Sequence, residues 1–344
     1  MTLQLATSKT AQDAYGLVRD LQKKLVKRLD RLPPPAASSR FKPVSWLRAK
    51  GAFGGGERFV AMDEALFNRA SVNISQVQYE KDPQRKLNSA SALSTIVHPR
   101  HPFAPSMHMH ISWTEMKSGQ GYWRIMGDLN PSIPRESDTA AFNQMLRSAT
   151  GALYQTGKEQ GEHYFYIPAL GRHRGVAHFY LEEFNSGHRE SDYSLAQNFG
   201  ERLIETYGDL VEAALNRQEK VTDAEKRQQL DYHTLYFLQV LTLDRGTTSG
   251  LLVHDENDTG ILGSLPSHVD RALLESWIPK HHALQQKLLA DIIAVLPQAN
   301  PSLVDDAVKV KIAEVARRFY QHYPEAQELL AKGNTVPPTV ANHS

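Results

Sequence analysis

The chain contains no cysteine among its 344 residues. This absence excludes disulfide bonds, cysteine-ligated zinc sites, thiolate nucleophiles and cysteine-bound iron–sulfur clusters. Any redox chemistry must therefore use histidine, carboxylate and arginine side chains, a bound cofactor, or the substrate itself together with dioxygen.

Long apolar runs and an excess of either charge are missing as well. Nothing approaches the roughly eighteen consecutive apolar residues of a transmembrane helix, so no membrane span is predicted. The 39 basic residues nearly balance the 38 acidic ones, which provides no general attraction to nucleic acid. The N-terminus lacks the basic and then apolar layout of a secretory signal, so we expect a cytoplasmic protein.

The hydrophobic pattern divides the chain into three parts. Residues 1–39 contain an amphipathic helix, marked by Leu17, Leu21 and Leu25, and a proline-rich linker. Residues 40–268 begin with short alternating segments, which are typical of antiparallel strands. Residues 269–344 are predicted to form a C-terminal helical extension. The predicted fold class is α+β, with one large flat antiparallel β-sheet flanked by helices on both faces.

Individual strands and helices follow from the same pattern. Strands are predicted near residues 72–77, 93–97, 107–113, 122–126, 164–167 and 176–181. Helices are predicted over residues 138–158, 194–217 and 223–232. Residues 235–243 are continuously apolar, which favours a buried strand, with residues 250–253 and 260–261 as edges of the same sheet.

Four histidines, His98, His101, His108 and His110, fall within thirteen residues. His108 and His110 are two positions apart on a predicted strand, so both side chains point to one face. Two such imidazoles, with His98 as a third ligand, would suit a metal-dependent oxygenase. A polar cleft lining without metal explains the same residues, and the spacing alone does not decide between the two.

Two further groups of charged residues lie beside predicted strands. Arg174 precedes the strand at residues 176–181, where its planar guanidinium would suit carboxylate recognition. Asp244 and Arg245 directly follow the apolar stretch, a position from which a sheet commonly presents functional side chains. An exposed loop and an ion pair at a turn are the alternative interpretations.

Taken together, these segments resemble the oxygen-dependent coproporphyrinogen III oxidases. Six blocks match that family's motifs in order, at residues 54–56, 69–75, 94–109, 128–131, 164–175 and 244–266. The block Ser94-Thr-Ile-Val-His98-Pro-Arg100 and the block Asp244-Arg-Gly-Thr247 are the most specific. The resemblance covers roughly residues 40–266.

The resemblance implies a homodimer that acts on a tetrapyrrole carrying several carboxylates. It implies the oxidative decarboxylation of two propionates of coproporphyrinogen III to vinyl groups. Dioxygen would be the co-substrate, and no metal or organic cofactor would be required. The absence of cysteine agrees with this, because the radical type of the same oxidation needs a cysteine-bound iron–sulfur cluster.

The resemblance also implies roles for individual residues. Asp244 would accept hydrogen bonds from pyrrole N–H groups, and Arg245 and Arg174 would pair with propionates. His108 would act as the acid or base beside the reacting propionate. The other expected substrate contacts are Asn73, Ser94, His98 and His110.

The sequence departs from the family pattern at several of these places. His110 and Ser112 stand where the family has Asn-x-Arg, and a loop around Asp255 replaces a Gly-Gly-Arg segment. Ala141 and Ala169 stand where the family has histidines. Two carboxylate-binding arginines are thus missing. A divergent paralogue that oxidises a different pyrrole- or indole-like substrate, or an inactive tetrapyrrole-binding protein, is therefore an alternative.

Overall fold

The computed structural model of the chain describes residues 3–34 and 38–333. Within them lies a seven-stranded antiparallel sheet with strand order β1-β2-β3-β4-β5-β6-β9. Its strands are β1 (Phe41–Leu47), β2 (Gly54–Ala61), β3 (Phe67–Gln78), β4 (Leu87–Pro99), β5 (Ser106–Met116), β6 (Gly121–Asn130) and β9 (Ala177–Phe184). Two further two-stranded antiparallel sheets pair β7 (Tyr166–Ile167) with β8 (Arg172–His173) and β10 (His268–Val269) with β11 (Ser302–Leu303).

Ten α-helices occur in the described part of the chain. They are α1 (Lys9–Asp30), α2 (Glu136–Thr150), α3 (Tyr154–Tyr164), α4 (Arg189–Asn216), α5 (Asp223–Thr242), α6 (Arg245–Val253), α7 (Asp258–Ile261), α8 (Arg271–Trp277), α9 (Ala283–Val295) and α10 (Asp306–His322). Among the residues described, no helix combines the length and the apolar character needed to cross a membrane. The predicted α+β class is confirmed.

The side chains of the sheet alternate between two cores, one on each face. Leu93 and Val97 of β4 pack in one core with residues of α1, α2 and α4. Ile96, between them, packs in the second core with residues of α5 and of the helices that follow it. Helices therefore cover both faces of the sheet, as predicted.

The predicted strand at residues 235–243 is wrong. These residues form the second half of α5, in which every side chain from Tyr232 to Thr242 is buried. A helix that is surrounded by protein is apolar on all sides, so it lacks the 3.6-residue period that distinguishes a helix from a strand. The predicted edges at residues 250–253 and 260–261 are helical too, in α6 and α7.

Smaller corrections concern the element ends. Residue 164 ends α3, so the predicted strand at residues 164–167 shrinks to the two residues of β7. The helix predicted over residues 138–158 is two helices, α2 and α3, separated at Gly151, whose φ is 53°. A positive φ is accessible to glycine without a Cβ penalty, so the first helix ends there.

The helices after residue 268 share the second core with α5. Side chains of α8, α9 and α10 pack there with those of Phe237 and Leu241. Arg317 of α10 forms an ion pair with Asp258 of α7, with a nitrogen-to-oxygen distance of 2.6 Å. Residues 334–344 of the predicted extension, and residues 35–37 of the predicted linker, lie outside the described residues.

Candidate functional site

A cavity of about 260 Å³ lies between the sheet and helices α5 to α7. Its floor includes one row of residues that are paired across five neighbouring strands. This row consists of Asn73, Ser94, His110, Met126 and Tyr180. Tyr236 of α5 and the start of α6 form the opposite wall. Antiparallel pairing thus gathers polar side chains from distant parts of the sequence onto one face.

Seven of the eight predicted site residues line this cavity. They are Asn73, Ser94, His108, His110, Arg174, Asp244 and Arg245. His98 is on the same face of β4 as Ser94 but is not among the cavity-lining residues. Its ring lies fully buried against Tyr236, with the centroids 4.6 Å apart, and its Nδ1 is 2.9 Å from Ser106 Oγ.

His108 forms a hydrogen-bonded pair with Asp128, its neighbour on β6. The distance from His108 Nδ1 to Asp128 Oδ1 is 2.8 Å. Because an ionised carboxylate only accepts hydrogen bonds, Nδ1 carries the proton and Nε2 is left as an acceptor. The sheet thus holds an oriented imidazole on the cavity wall.

Arg174 secures Asp128 from the other side. Its guanidinium donates to Asp128 Oδ2 and also to Gln239 Oε1 at 2.6 Å, and it is sandwiched between the rings of Phe165 and Tyr236. Burial by itself would raise the pKa of Asp128, but Arg174 and His108 together lower that pKa well below its usual value. Asp128 is therefore an anion that stabilises His108 in one orientation.

Asp244 and Arg245 begin α6 and are fixed by different partners. Asp244 is the N-cap: its Oδ1 accepts from Thr247 N at 2.6 Å, and its Oδ2 accepts from the Tyr164 hydroxyl at 3.1 Å. Arg245 forms a buried ion pair with Glu182, and its Nη1 has no hydrogen-bond partner among the described residues. The N-cap role, rather than the end of a strand, places Asp244 at the cavity.

His110 differs from His108 in its electrostatic surroundings. Burial, followed by the positive charge of Arg124 and by that of His108 in its protonated form, lowers the pKa of His110 to about 3. Its Nε2 lies 2.9 Å from Ser112 Oγ. His110 is therefore neutral at physiological pH and suited to hydrogen bonding rather than to proton transfer.

The alternative metal site of His98, His108 and His110 is not assembled. In residues 3–34 and 38–333, no group of three or more histidine, aspartate or glutamate side chains is placed to hold a metal ion. His98 bonds to Ser106, and neither residue lines the cavity, while His108 is engaged with Asp128.

Two residues at the site, the cavity-lining Arg124 and the His108 partner Asp128, were not assigned a role from the sequence. Asp128 lies in a recognised block, but its contact with His108 depends on the pairing of β5 with β6. Arg124 lies on β6 directly opposite Ser112 and lines the cavity. Only the strand register places them at the site. The altered positions Ala141 and Ala169 are not among the cavity-lining residues.

A buried pair of histidines, one on α5 and one on β4, predicts a pH-dependent stability. His233 lies against His98, with ring centroids 5.2 Å apart, and burial, then Arg100 and His268, lowers its pKa to about 3. In the unfolded chain its pKa is near 6.5, so unfolding takes up a proton between about pH 6.5 and pH 3. The free energy of unfolding should therefore fall by about 2 kcal/mol from this group alone when the pH is lowered to 5.

Denaturant titrations at pH 7 and pH 5 test this with His233→Leu. The variant should lose about 2 kcal/mol less than the wild type between the two pH values, whatever its own stability at pH 7. His188→Leu, at an exposed position, is the control and should keep the wild-type difference. An unchanged pH dependence in His233→Leu would contradict the prediction.

Comparison with known proteins identifies the family. The family model described as coproporphyrinogen III oxidase matches residues 14–293. Oxygen-dependent coproporphyrinogen-III oxidase of Rickettsia akari (strain Hartford) is 31% identical over 245 residues, covering 67% of this chain and 85% of that protein. The enzyme of the same name from Rickettsia bellii (strain OSU 85-389) is 32% identical, covering 67% of this chain and 85% of that protein. The one from Rickettsia rickettsii (strain Sheila Smith) is 29% identical, covering 73% of this chain and 94% of that protein. The chain therefore belongs to the coproporphyrinogen III oxidase family.

Proposed function

We propose that this protein is an oxygen-dependent oxidase that decarboxylates propionate groups of coproporphyrinogen III to vinyl groups, as in haem biosynthesis. The observation that carries the proposal is the oriented His108–Asp128 pair, which faces a cavity also lined by Asp244 and Arg245 in a chain of this family. The chemistry of the reaction needs an acid–base group, an acceptor for N–H donors and cations for carboxylates, and the cavity contains all three types.

Each turnover breaks one C–H bond and one C–C bond of a propionate. The carboxylate leaves as carbon dioxide, and the electron pair of the broken C–C bond forms the vinyl double bond. The C–H hydrogen leaves as a proton with two electrons, which reduce dioxygen; with a second proton from solvent, this gives hydrogen peroxide. We propose that no metal or organic cofactor is required, since the electron-rich substrate supplies the electrons.

His108 and Asp244 would have complementary tasks in this scheme. His108 Nε2, left as an acceptor by the bond from Nδ1 to Asp128, can take a proton at the reacting propionate. Asp244 can accept hydrogen bonds from pyrrole N–H groups and stabilise the positive charge that develops as the macrocycle loses electrons. Asn73, Ser94 and His110 would supply polar contacts from the floor of the cavity.

Arg245 and Arg174 would act differently from each other. Arg245 lines the cavity, and its Nη1 nitrogen has no hydrogen-bond partner in the part of the chain described, so it is suited to a propionate. Arg174 is engaged with Asp128, Asn130 and Gln239. We propose that Arg174 works mainly as a positioning residue for the His108–Asp128 pair.

Arg124 would replace the arginine that is missing at Ser112. It lies on the neighbouring strand, directly opposite Ser112, and lines the same cavity. Arg124→Met should raise KM about 10- to 100-fold, since a hydrogen bond to a charged group contributes about 1.5–3 kcal/mol. Arg147→Met is the matched control, because Arg147 also lies over a tyrosine ring but is exposed and outside the cavity. Equal KM values for both variants would exclude this role.

The decisive test of the function is turnover of coproporphyrinogen III by the purified protein, under air and under argon. We expect protoporphyrinogen and hydrogen peroxide under air and no product under argon. Binding without turnover under air would point instead to an inactive tetrapyrrole-binding protein.

A second candidate is a divergent paralogue that oxidises another pyrrole- or indole-like substrate. The observation in its favour is that His110 lines the cavity where the family has asparagine, and Asn257 lines it within the replaced loop. Oxygen uptake with such a substrate, but not with coproporphyrinogen III, would support it.

The proposal also includes a homodimer in the cytoplasm. Both features rest on the resemblance to the family. Light scattering of the purified protein would test the first, since a homodimer would have twice the 38.6 kDa mass of the chain.

A further inference from the structure

A second, smaller cavity adjoins the first. Its volume is about 150 Å³, and its walls are residues 46–49, at the end of β1, together with Val253, His254, Glu256 and Asn257. This side cavity far exceeds the roughly 10–15 Å³ that a single water molecule needs. Trp46, His254 and Asn257 line both cavities, so the two spaces are neighbours across these three side chains.

Arg48 places a positive charge in the wall of the side cavity. Its Nη2 donates to the carbonyl oxygen of Val253 at 3.3 Å, while its Nη1 is enclosed and has no hydrogen-bond partner among the described residues. Within the part of the chain described, no carboxylate lies within ion-pair distance of this guanidinium. Burial, followed by the like charge of Arg85, lowers the pKa of Arg48, against the opposing effects of Tyr79 and Glu256. The guanidinium thus interacts with the Tyr79 side chain, including by a hydrogen bond, and with Glu256 at longer range, but it has no close carboxylate partner among the described residues.

Arg58, which lines neither cavity, contacts a residue at the junction between the two cavities. Asn257 is buried there, and its Oδ1 accepts a hydrogen bond from Arg58 Nη1 at 2.8 Å. Glu256 is the negative side chain of the side cavity, but it is exposed and its Oε2 accepts from Ala49 N at 3.1 Å. Water screens an exposed carboxylate strongly, so the enclosed guanidinium dominates the local charge.

The strand register shows how far this end of the sheet lies from Arg124, the cation on β6. Trp46 is in one cross-strand row with Ser112 and Arg124. This row runs from β1 to β6 over five strand spacings of about 4.8 Å, or about 24 Å between the outer backbones. Trp46, two residues before Arg48, and Arg124 therefore stand at opposite ends of the polar face, as a ligand with carboxylates on opposite sides would require.

We infer that the side cavity is a second carboxylate-binding subsite, in which Arg48 receives one propionate of a tetrapyrrole while another propionate lies at His108. This inference rests on the proposed function for the identity of the ligand. It assigns Arg48 to substrate recognition, at the end of the cavity where the loop at Asp255 has lost the family's arginine. A charge-assisted hydrogen bond from Arg48 to a propionate would bind the ligand at a point remote from the reacting propionate.

The test measures KM and kcat with coproporphyrinogen III, and Kd with the fluorescent porphyrin coproporphyrin III. Arg48→Met should raise KM and Kd about 10- to 100-fold, with kcat changed less than about threefold. Arg85→Met is the matched control, because Arg85 and Arg48 both lie over the Tyr79 ring but Arg85 lines neither cavity. Arg85→Met should leave KM and Kd within about twofold of the wild type.

Arg48→Lys provides an independent arm if Arg48→Met does not fold. It keeps a positive charge but loses the planar guanidinium, so Kd for the porphyrin should rise; an unchanged or lower Kd would overturn the inference. Equal constants for Arg48→Met and Arg85→Met would also overturn it, as long as the wild type turns over. A wild type that binds the porphyrin through Arg48 but makes no product would instead refute the proposed function and leave the subsite standing.

Discussion

His108→Gln is expected to lower kcat by about 10²- to 10⁴-fold, the usual range for loss of a positioned acid or base. The imidazole is held by Asp128 with Nε2 left as an acceptor, and a glutamine amide cannot take its proton. Substrate contacts elsewhere in the cavity remain, so KM should change far less. Steady-state kinetics under air, with product quantified by fluorescence after oxidation, measure both constants.

His110→Gln is the informative comparison, because His110 lies on the same strand face two residues away. Its pKa of about 3 makes it neutral and unsuited to proton transfer at pH 7. We therefore expect its replacement to act mainly on KM. A collapse of kcat in His110→Gln, with kcat nearly unchanged in His108→Gln, would reverse the two roles.

Asp128→Ala is expected to lower the free energy of unfolding by about 3–5 kcal/mol. The variant leaves the guanidinium of Arg174 buried without its counter-charge, since both side chains are almost inaccessible to solvent. It also removes the carboxylate that orients His108, so kcat should fall together with stability. Urea titrations and kinetics of the same preparation measure the two effects.

A double variant separates the destabilisation caused by the unpaired charge of Arg174 from the destabilisation caused by lost packing. Asp128→Leu combined with Arg174→Met removes both charges and should be less destabilised than Asp128→Ala alone. Asp209→Ala is the control for a surface ion pair: Asp209 is 75% exposed in its contact with Arg28, so its loss should cost less than about 1 kcal/mol. A double variant whose loss of stability equals the sum of the losses in Asp128→Leu and Arg174→Met, each measured alone, would show that the two charges are not coupled.

The period-two pattern of the strands correctly predicted which site residues share a face. Alternation placed His108 and His110 together, and the pairing of Ser94 with His110 puts both on the cavity floor. The resemblance, carried by short blocks, is confirmed by the family match over residues 14–293. His98 shows the limit of this reasoning. The alternation of side chains along a strand predicts the face on which a residue lies, but not where along the strand the cavity ends.

The second half of α5 could not be predicted from its own residues. A segment buried on every side has no amphipathic period, and only its packing between the sheet and the C-terminal helices makes it helical. The error carried over to Asp244, which was expected to end a strand. It caps a helix instead, and this N-cap geometry is what places its carboxylate beside Tyr164 at the cavity.

The sequence by itself determined the residue types of the site, the face that each strand residue occupies and the absence of thiol chemistry. Only the tertiary structure decided the partners, because those partners are far apart along the chain. Asp128 is 20 residues from His108 and 46 residues from Arg174 in the sequence, yet it contacts both. Arg124 lies opposite Ser112 because β5 pairs with β6. Strand register and helix packing are set by the whole core, so no local pattern contains them.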